Sequence, residues 1–494
     1  MPTSSDSASR IADAAPQNTP PSDKPGGVLD RYFDITRRGS TVGAEIRGGV
    51  VTFVTMAYIV ILNPIILSGT PDIEGTELSF AAVGAVTALT AGVMTILFGL
   101  VSRLPFAFAA GLGINAFVAF SMVGEVTWKE AMALVVINGL IIVLLAATGL
   151  RKLIFDAVPV QLKLAITVAI GLFIAFIGFV NSGLVTATGA ASPPVGLGQG
   201  GSVATVPTLM FVLTLLLTGI LVARKVKGGM LIGLVAGTVL SIIAEAIWHL
   251  GSAVDNPGGW GLTIPALDGS PVSVPDLSLI GAVDFGFDYG KVGIVALVML
   301  VFTLVFSNFF DAMGTMTGLA KEAGLANEKG DFPRITSALI VEGVGAVLGG
   351  ATSASSNTVF IESGSGIGEG ARTGFANIVT GGLFLLAMFF TPLTSIVPSE
   401  VAAAALVIVG AMMMAQISHI DLSDFRVLLP VFLTTTIMPF TYSIANGIGA
   451  GFISWVVLHA VSGKGKTVSP LLWGVAAGFV VFFARGPIEA LIGG

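Results

Sequence analysis

Two apolar segments, Leu104-Pro-Phe-Ala-Phe-Ala-Ala-Gly-Leu-Gly-Ile-Asn115-Ala-Phe and Ser353-Ala-Ser-Ser-Asn357-Thr-Val-Phe-Ile-Glu362-Ser-Gly-Ser-Gly-Ile, lie half a chain apart. Each is broken by glycines and carries a strongly polar residue near its middle. Neither reads as an ordinary membrane span. Broken segments at corresponding positions of two halves mark transporters built from inverted repeats, in which they meet near the midplane and form the substrate site. Asn115 and Glu362 are therefore the first binding candidates.

The rest of the chain agrees with a membrane setting. Of its 494 residues 54% are apolar and only 11% charged, with a mean hydropathy of +0.94, well beyond a soluble domain. There is no cysteine, so neither disulfides nor thiolate metal sites enter. The net charge of -6 comes with no basic run, which argues against a nucleic-acid partner. Residues 1–32 lack the apolar core of a signal peptide and read as a disordered cytoplasmic tail.

A spanning helix needs about 20 mainly apolar residues. On that rule the first repeat, 33–250, holds spans near 46–68, 79–101, 130–149, 160–180, 205–223 and 228–250, with the broken segment 105–122 as third element. A polar extracellular loop, 251–290, follows. The second repeat, 291–462, holds 292–320, 334–350, the broken 353–368 as tenth element, 373–391, 398–416, 427–442 and 444–462. The expected fold is an all-α polytopic bundle of 14 transmembrane elements in seven-plus-seven inverted repeats. In the C-terminal segment 463–494, Ser469 to Phe483 is either an extra span or an interfacial helix.

Lysine and arginine mark cytoplasmic loops. Arg37, Arg38, Arg47, Arg103, Arg151, Lys152, Arg224, Lys225, Lys329, Arg334, Arg372, Arg426 and Lys464 fall on one side if the N-terminus is cytoplasmic, and Asp72, Glu74, Glu77, Asp255, Asp268 and Asp288 fall on the other. Lys129 and Lys291 run against the rule. Internal similarity is faint but visible. Val158-Pro159 is followed by Ala165 and Gly171, and Val397-Pro398 by Ala404 and Gly410 at the same offsets.

Ionisable residues inside spans cost about 2.5 to 3.5 kcal/mol at a helix centre and usually mark a pathway or a partner. Asp311 sits in such a span, and Asn308 and Thr315 share its helix face. Bracing of a neighbouring helix is the alternative reading of Asp311. Glu362 can accept hydrogen bonds from a ligand when ionised or donate one when protonated; the alternative is an ion pair with Arg372. Gly111, Gly113, Gly364 and Gly366 allow close backbone approach. The Gly-Ser-Gly-Ile-Gly-Glu-Gly run lacks the preceding strand of a dinucleotide fingerprint. His249, His419 and His459 are scattered, Met412 to Met414 read as packing, and no catalytic residue, metal site or cofactor is expected.

Four stretches then point to a family: Thr41 to Leu67 with Asn63-Pro64, Gly111-Leu-Gly-Ile-Asn115-Ala, Phe310-Asp311-Ala-Met-Gly314-Thr315, and Glu362-Ser-Gly-Ser-Gly-Ile with Gly370-Ala-Arg-Thr-Gly. Over Phe33 to Ser462 the chain resembles the AzgA-like purine permeases of the nucleobase-ascorbate transporter superfamily. The resemblance implies a core of elements 1–4 and 8–11 moving against a gate of 5–7 and 12–14, and symport of a purine base, hypoxanthine or guanine and also adenine, with H⁺ or else Na⁺. It implies base binding by Asn115 and Glu362 and a transport role for Asp311, with Asp311 and Glu362 as proton-coupling candidates. Asn308 stands where the family commonly has a second acid. A flat base also needs an aromatic wall, for which Phe106, Phe108, Phe117, Phe309 and Phe360 are candidates beside Gly113. A multi-pass protein of the cell membrane, with a homodimer left open, is expected. The competing readings are a uracil or xanthine carrier, an anion transporter of related fold and a non-transporting receptor.

Overall fold

Backbone polar groups inside a bilayer must be bonded within the protein, which drives apolar chains into helices. The computed structural model describes residues 27–150, 157–190, 192–198, 201–266, 270–287, 293–327 and 332–484. Most of the expected tail, together with Arg151, Lys152, Lys291, Lys329, Asp268 and Asp288, lies outside the described residues. A short helix α1 (Val28–Phe33) precedes the first half, which runs α2 (Val42–Met56), α3 (Ile59–Ser68), α4 (Phe80–Val101), α5 (Leu112–Phe117), α6 (Trp128–Thr148), α7 (Val160–Asn181), α8 (Val206–Ala223) and α9 (Gly229–Trp248). The second runs α10 (Ile294–Glu322), α11 (Ile335–Ala351), α12 (Ser363–Gly368), α13 (Phe375–Ala387), α14 (Ser399–Met414), α15 (Phe425–Phe440) and α16 (Ile444–His459).

Because α2 and α3 form one bent element, each half has seven. Among the described residues, ten helical stretches are long and apolar enough to cross a membrane. The packing shows the inverted repeat. α6 lies on α11 as α13 lies on α4, α8 pairs with α9 as α15 with α16, and α8 packs on α14 as α15 packs on α7. Exchanging the halves maps each pair onto its counterpart. Small residues permit the closest crossings, as expected where lipid supplies no hydrophobic drive between helices. A Cβ on Gly139 of α6 would lie 2.5 Å from the Val347 nitrogen and 2.6 Å from the Gly343 oxygen of α11.

The bend in the first element has a local cause. Pro64 offers no amide to the carbonyl four residues back, and just before that point the ladder tightens to Val60 N–Ala57 O at 3.2 Å and Ile61 N–Tyr58 O at 3.0 Å. Elsewhere helices start on side-chain caps. Thr41 accepts from the Ala44 amide, and Thr127 and Glu130 form a reciprocal capping box.

In the two broken elements the bundle departs from pure helix. Phe108–Ala110 (β1) pairs antiparallel with Asn357–Val359, in register Phe108 with Val359, Ala109 with Thr358 and Ala110 with Asn357. A second short hairpin, Val185–Ala187 (β2) with Val195–Leu197 (β3), makes the membrane strand of element 10 β4. The sequence foretold interruption here without the strand pair. Each strand supplies the backbone partners the other lacks, and the pair continues through Gly111 N to Ser356 O and Phe360 N to Ala107 O, both 2.9 Å.

Helix α17 (Pro470–Phe483) covers the stretch expected as an extra span or interfacial helix. It packs lengthwise on α16 and α10, with Leu472, Ala476 and Phe479 buried. The expected 251–290 loop straps the same end of several elements. Gly261 N donates to Glu400 Oε1 at 2.9 Å, Gly281 N to Ala351 O at 2.8 Å and Asp284 N to Lys129 O at 3.1 Å. At the opposite end Arg38 donates to the Arg103 carbonyl at 2.7 Å and the Arg372 carbonyl at 3.2 Å, gathering cations that the sequence places together.

Candidate functional site

The strand crossing brings the two broken elements together, and α5 and α12 leave it as half-helices. At the start of α5, Asn115 is fully buried. Its amide donates to Asn63 Oδ1 of α3 at 2.5 Å. Asn63 in turn donates to Thr87 Oγ1 at 2.7 Å and to the Ala354 carbonyl of element 10 at 3.2 Å. One amide thus ties elements 1, 2, 3 and 10 into a fixed frame. Asn115 Oδ1 has no partner among the described residues, so one acceptor is left over.

The same holds opposite. Asn308 of α10 is fully buried and donates to Ser356 Oγ at 3.0 Å, while its Oδ1 is unpartnered. One turn on, Asp311 is half-buried. Among the described residues its carboxyl has no hydrogen bond or ion pair. Glu362, half-buried at the start of α12, accepts from the Tyr58 hydroxyl at 2.5 Å. Tyr58 lies in the tightened turn between α2 and α3. The Glu362–Arg372 ion pair does not form: the Arg372 guanidinium is spent on the Ile367 carbonyl at 2.6 Å and the Ala371 carbonyl at 2.8 Å.

The aromatic candidates separate. Phe106 and Phe108 pack with Phe98, at 6.1 and 4.8 Å between ring centres, in an apolar cluster with Met316 and Leu339. They support the strand from that cluster and do not form a wall. Phe117, Phe309 and Phe360 lie in the main apolar core at 1%, 2% and 6% exposure. Gly113 faces the gate, where a Cβ would lie 2.8 Å from Ile170 Cγ2 of α7. Nearby, Lys163 of the same helix sits 5.0 Å above the Phe310 ring, next to Asp311 in sequence. Of the Met412–Met414 run, Met413 packs on Gly171 whereas Met412 is 46% exposed.

Several contributors were given no binding role by the sequence reading. Tyr58 and Thr87 occur in apolar helices where tyrosine and threonine are unexceptional, and Asn63 enters only within the Asn63-Pro64 motif; the fold brings the three to the broken elements. Glu45, fully buried, was also missed. Its carboxylate accepts from the Arg372, Thr373 and Ala376 amides at 2.8, 3.3 and 3.2 Å, an anion at the positive end of α13.

Buried amides with spare acceptors, a carboxylate held by a phenol and a second carboxylate are thus carried by the elements at and beside the strand crossing. Comparison with known proteins places the chain in a family. The Xan_ur_permease profile, described as the Permease family, matches residues 43–450. The chain is 38% identical over 464 residues to the guanine/hypoxanthine permease PbuG of Bacillus subtilis (strain 168), covering 92% of this chain and 99% of that one. It is 35% identical over 459 residues to the adenine permease AdeP of Escherichia coli (strain K12), covering 92% and 96%. The transmembrane domain of the cyanobacterium bicarbonate transporter BicA superposes with a TM-score of 0.57 at 16% identity, covering 84% of this chain and 96% of that one, a likeness of fold alone. The chain belongs to the permease family, in the purine permease branch that its motifs resemble.

Proposed function

We propose that this chain imports purine nucleobases, hypoxanthine or guanine and also adenine, by proton symport, with its N-terminus on the cytoplasmic side of the cell membrane. The observation that carries the reading is the half-buried Glu362 carboxylate, held by Tyr58, together with the buried Asn115 and Asn308, each of which keeps one unpartnered acceptor. A purine is flat and uncharged, with N–H donors and ring-nitrogen acceptors along its edges, and such a site offers complements to both. The names of the relatives point the same way.

Asp311 and Glu362 are the groups that would take up protons, because acids inside a bundle without cationic partners are characteristic of proton pathways. Asn308 stands where the family commonly has a second acid one turn before Asp311, so Asp311 carries the share of that pair. Protonation from outside accompanies base binding, and the core then moves as a body against the gate to open inward.

The test is uptake of radiolabelled hypoxanthine in cells lacking their own purine carriers, with excess unlabelled adenine, guanine, xanthine or uracil, with and without a protonophore. Saturable uptake blocked by purines and abolished by the protonophore is the expected result. Blocking by uracil or xanthine alone would replace the substrate assignment, and protonophore-resistant, sodium-dependent accumulation would replace the coupling ion.

A further inference from the structure

A cavity of about 440 Å³ opens at the end of the bundle that the proposed orientation makes extracellular, and its size is that of a small-molecule site. Phe120, Ser121 and Glu125 line it from the end of element 3, and Tyr442 and Asn446 line it from the turn between α15 and α16 and the start of α16. On the core-and-gate division the first three belong to the core and the last two to the gate. The opposite end is shut. Lys227, in the turn between α8 and α9, pairs with Glu369 just after α12, which Arg47 of α2 also holds at 2.9 Å. Beside them a Cβ on Gly228 would lie 2.6 Å from Val54 Cγ1. Core and gate thus touch at the cytoplasmic end and leave the cavity between them at the other.

Tyr442 is the wall residue that needs a reason. Its φ of 53° is left-handed, a conformation uncommon for an aromatic residue and kept only where the surroundings enforce it. Three rings fix its own, Phe173 and Phe176 of α7 at 5.4 and 5.9 Å between centres and Phe120 at 5.7 Å. Its hydroxyl makes no hydrogen bond among the described residues. A ring held in place with a free phenol suits a flat polar ligand, because the phenol both donates and accepts. Phe120 lies in the π-turn Val118–Met122 that continues α5 beyond Asn115, and such turns recur at functional sites. Among the residues lining the cavity Glu125 is the one with a charge, which favours a neutral solute bearing N–H groups over an anion.

We propose that this cavity is an outer binding site, where an uncharged planar heteroaromatic base lodges against Tyr442 and Phe120 before it reaches Asn115 and Glu362. Because the contact between those two rings joins core to gate, a base held there sits on the seam along which the two bodies part.

The inference rests on the purine-import reading, and a thiol-protection assay separates the two. The chain has no cysteine, so Thr441→Cys places a sole thiol at the exposed rim of the cavity, and Asn446→Cys is the second position should the first variant fail to reach the membrane. In purified carrier, hypoxanthine should slow labelling by a maleimide about fivefold or more. With Asn115→Ala and Glu362→Gln added to disable the crossing, the half-maximal hypoxanthine concentration for protection should stay within about threefold, and Tyr442→Leu should abolish protection. Benzoate, a flat anion, should not protect. Protection that disappears with the crossing substitutions reflects core movement alone and overturns the inference, as does protection indifferent to Tyr442→Leu or matched by benzoate. Absence of protection in a carrier that still accumulates hypoxanthine overturns the outer site and leaves the import reading standing. A carrier that neither accumulates nor is protected by any purine overturns both.

Discussion

Two crossings lie where corresponding elements of the two repeats meet, and they are chemically opposite. In the core, elements 3 and 10 cross as paired strands, with Asn115, Asn308 and Glu362 around them. In the gate, α7 and α14 cross as unbroken helices with Gly171 against Gly410, and side chains at the contact such as Ala175 and Met413 are apolar. The same inverted geometry thus gathers polar side chains in one place and makes a tight apolar contact in the other. Extended backbone frees side chains and half-helix ends for a ligand, whereas continuous helices satisfy themselves and leave only packing. Symmetry of the repeats fixes where the crossings are, and the residue types decide what each does.

Substitutions can break or sharpen that contrast. Glu362→Gln removes the charge at the core crossing, and accumulation of hypoxanthine against a gradient should fall to background; full concentrative uptake by this variant would end its proton role. Asn115→Ala strips the frame of its amide and leaves Asn63 Oδ1 without its donor. Loss of about 1–3 kcal/mol should weaken purine binding about 5- to 150-fold, measured by competition uptake, with the protein still present in the membrane. At the gate crossing the pattern should reverse: Gly171→Val overpacks a contact with no slack and should cost about 1–3 kcal/mol, seen as a lower thermal midpoint of the purified carrier with purine affinity retained. Equal loss of affinity in both variants would erase the distinction.

Two smaller effects grade the picture. Tyr58→Phe deletes a single hydrogen bond to Glu362, and about 1 kcal/mol translates to roughly fivefold weaker binding. Far from both crossings, at the start of α15, the hydrogen bonds from Arg426 hold the Asp424 carboxyl well below its ordinary value of 3.8. A depressed carboxylate contributes stability that is present above the unfolded value and lost as pH falls through the folded one. Asp424→Asn should therefore lower the thermal midpoint slightly near neutral pH and flatten its decline in a thermal-shift series taken downward from about pH 4, where the two proteins converge. Asp424 is partly exposed, and solvent screening keeps the change small.

Much of this was legible from the chain. Composition and span length announced the bundle, the seven-plus-seven count followed from apolar runs and broken segments, and the matched Val-Pro and glycine positions anticipated α7 and α14, where Gly171 and Gly410 do meet. Asn115, Asn308 and Glu362 stood out because polar residues are scarce in apolar surroundings. The aromatic candidates divide between two apolar clusters, Phe106 and Phe108 in one and Phe117, Phe309 and Phe360 in the other. Phe106, Phe108 and Phe117 flank polar residues in sequence, yet successive residues of a strand face opposite ways, and a helix turns its neighbours about 100° apart. Proximity along the chain therefore said little about direction.

What the sequence by itself determined is what depends on local composition: which segments enter a membrane, which are broken, and which few polar residues need a reason to be there. What only the tertiary structure decided is pairing. Nothing local joins Phe108 to Val359, Tyr58 to Glu362, Asn63 to Asn115 or Glu45 to the amides of α13. Each is a contact between segments from 52 to about 330 residues apart. In a medium without competing water, an unsatisfied backbone or side-chain group must find its partner within the fold, and the folded arrangement alone settles which partner that is.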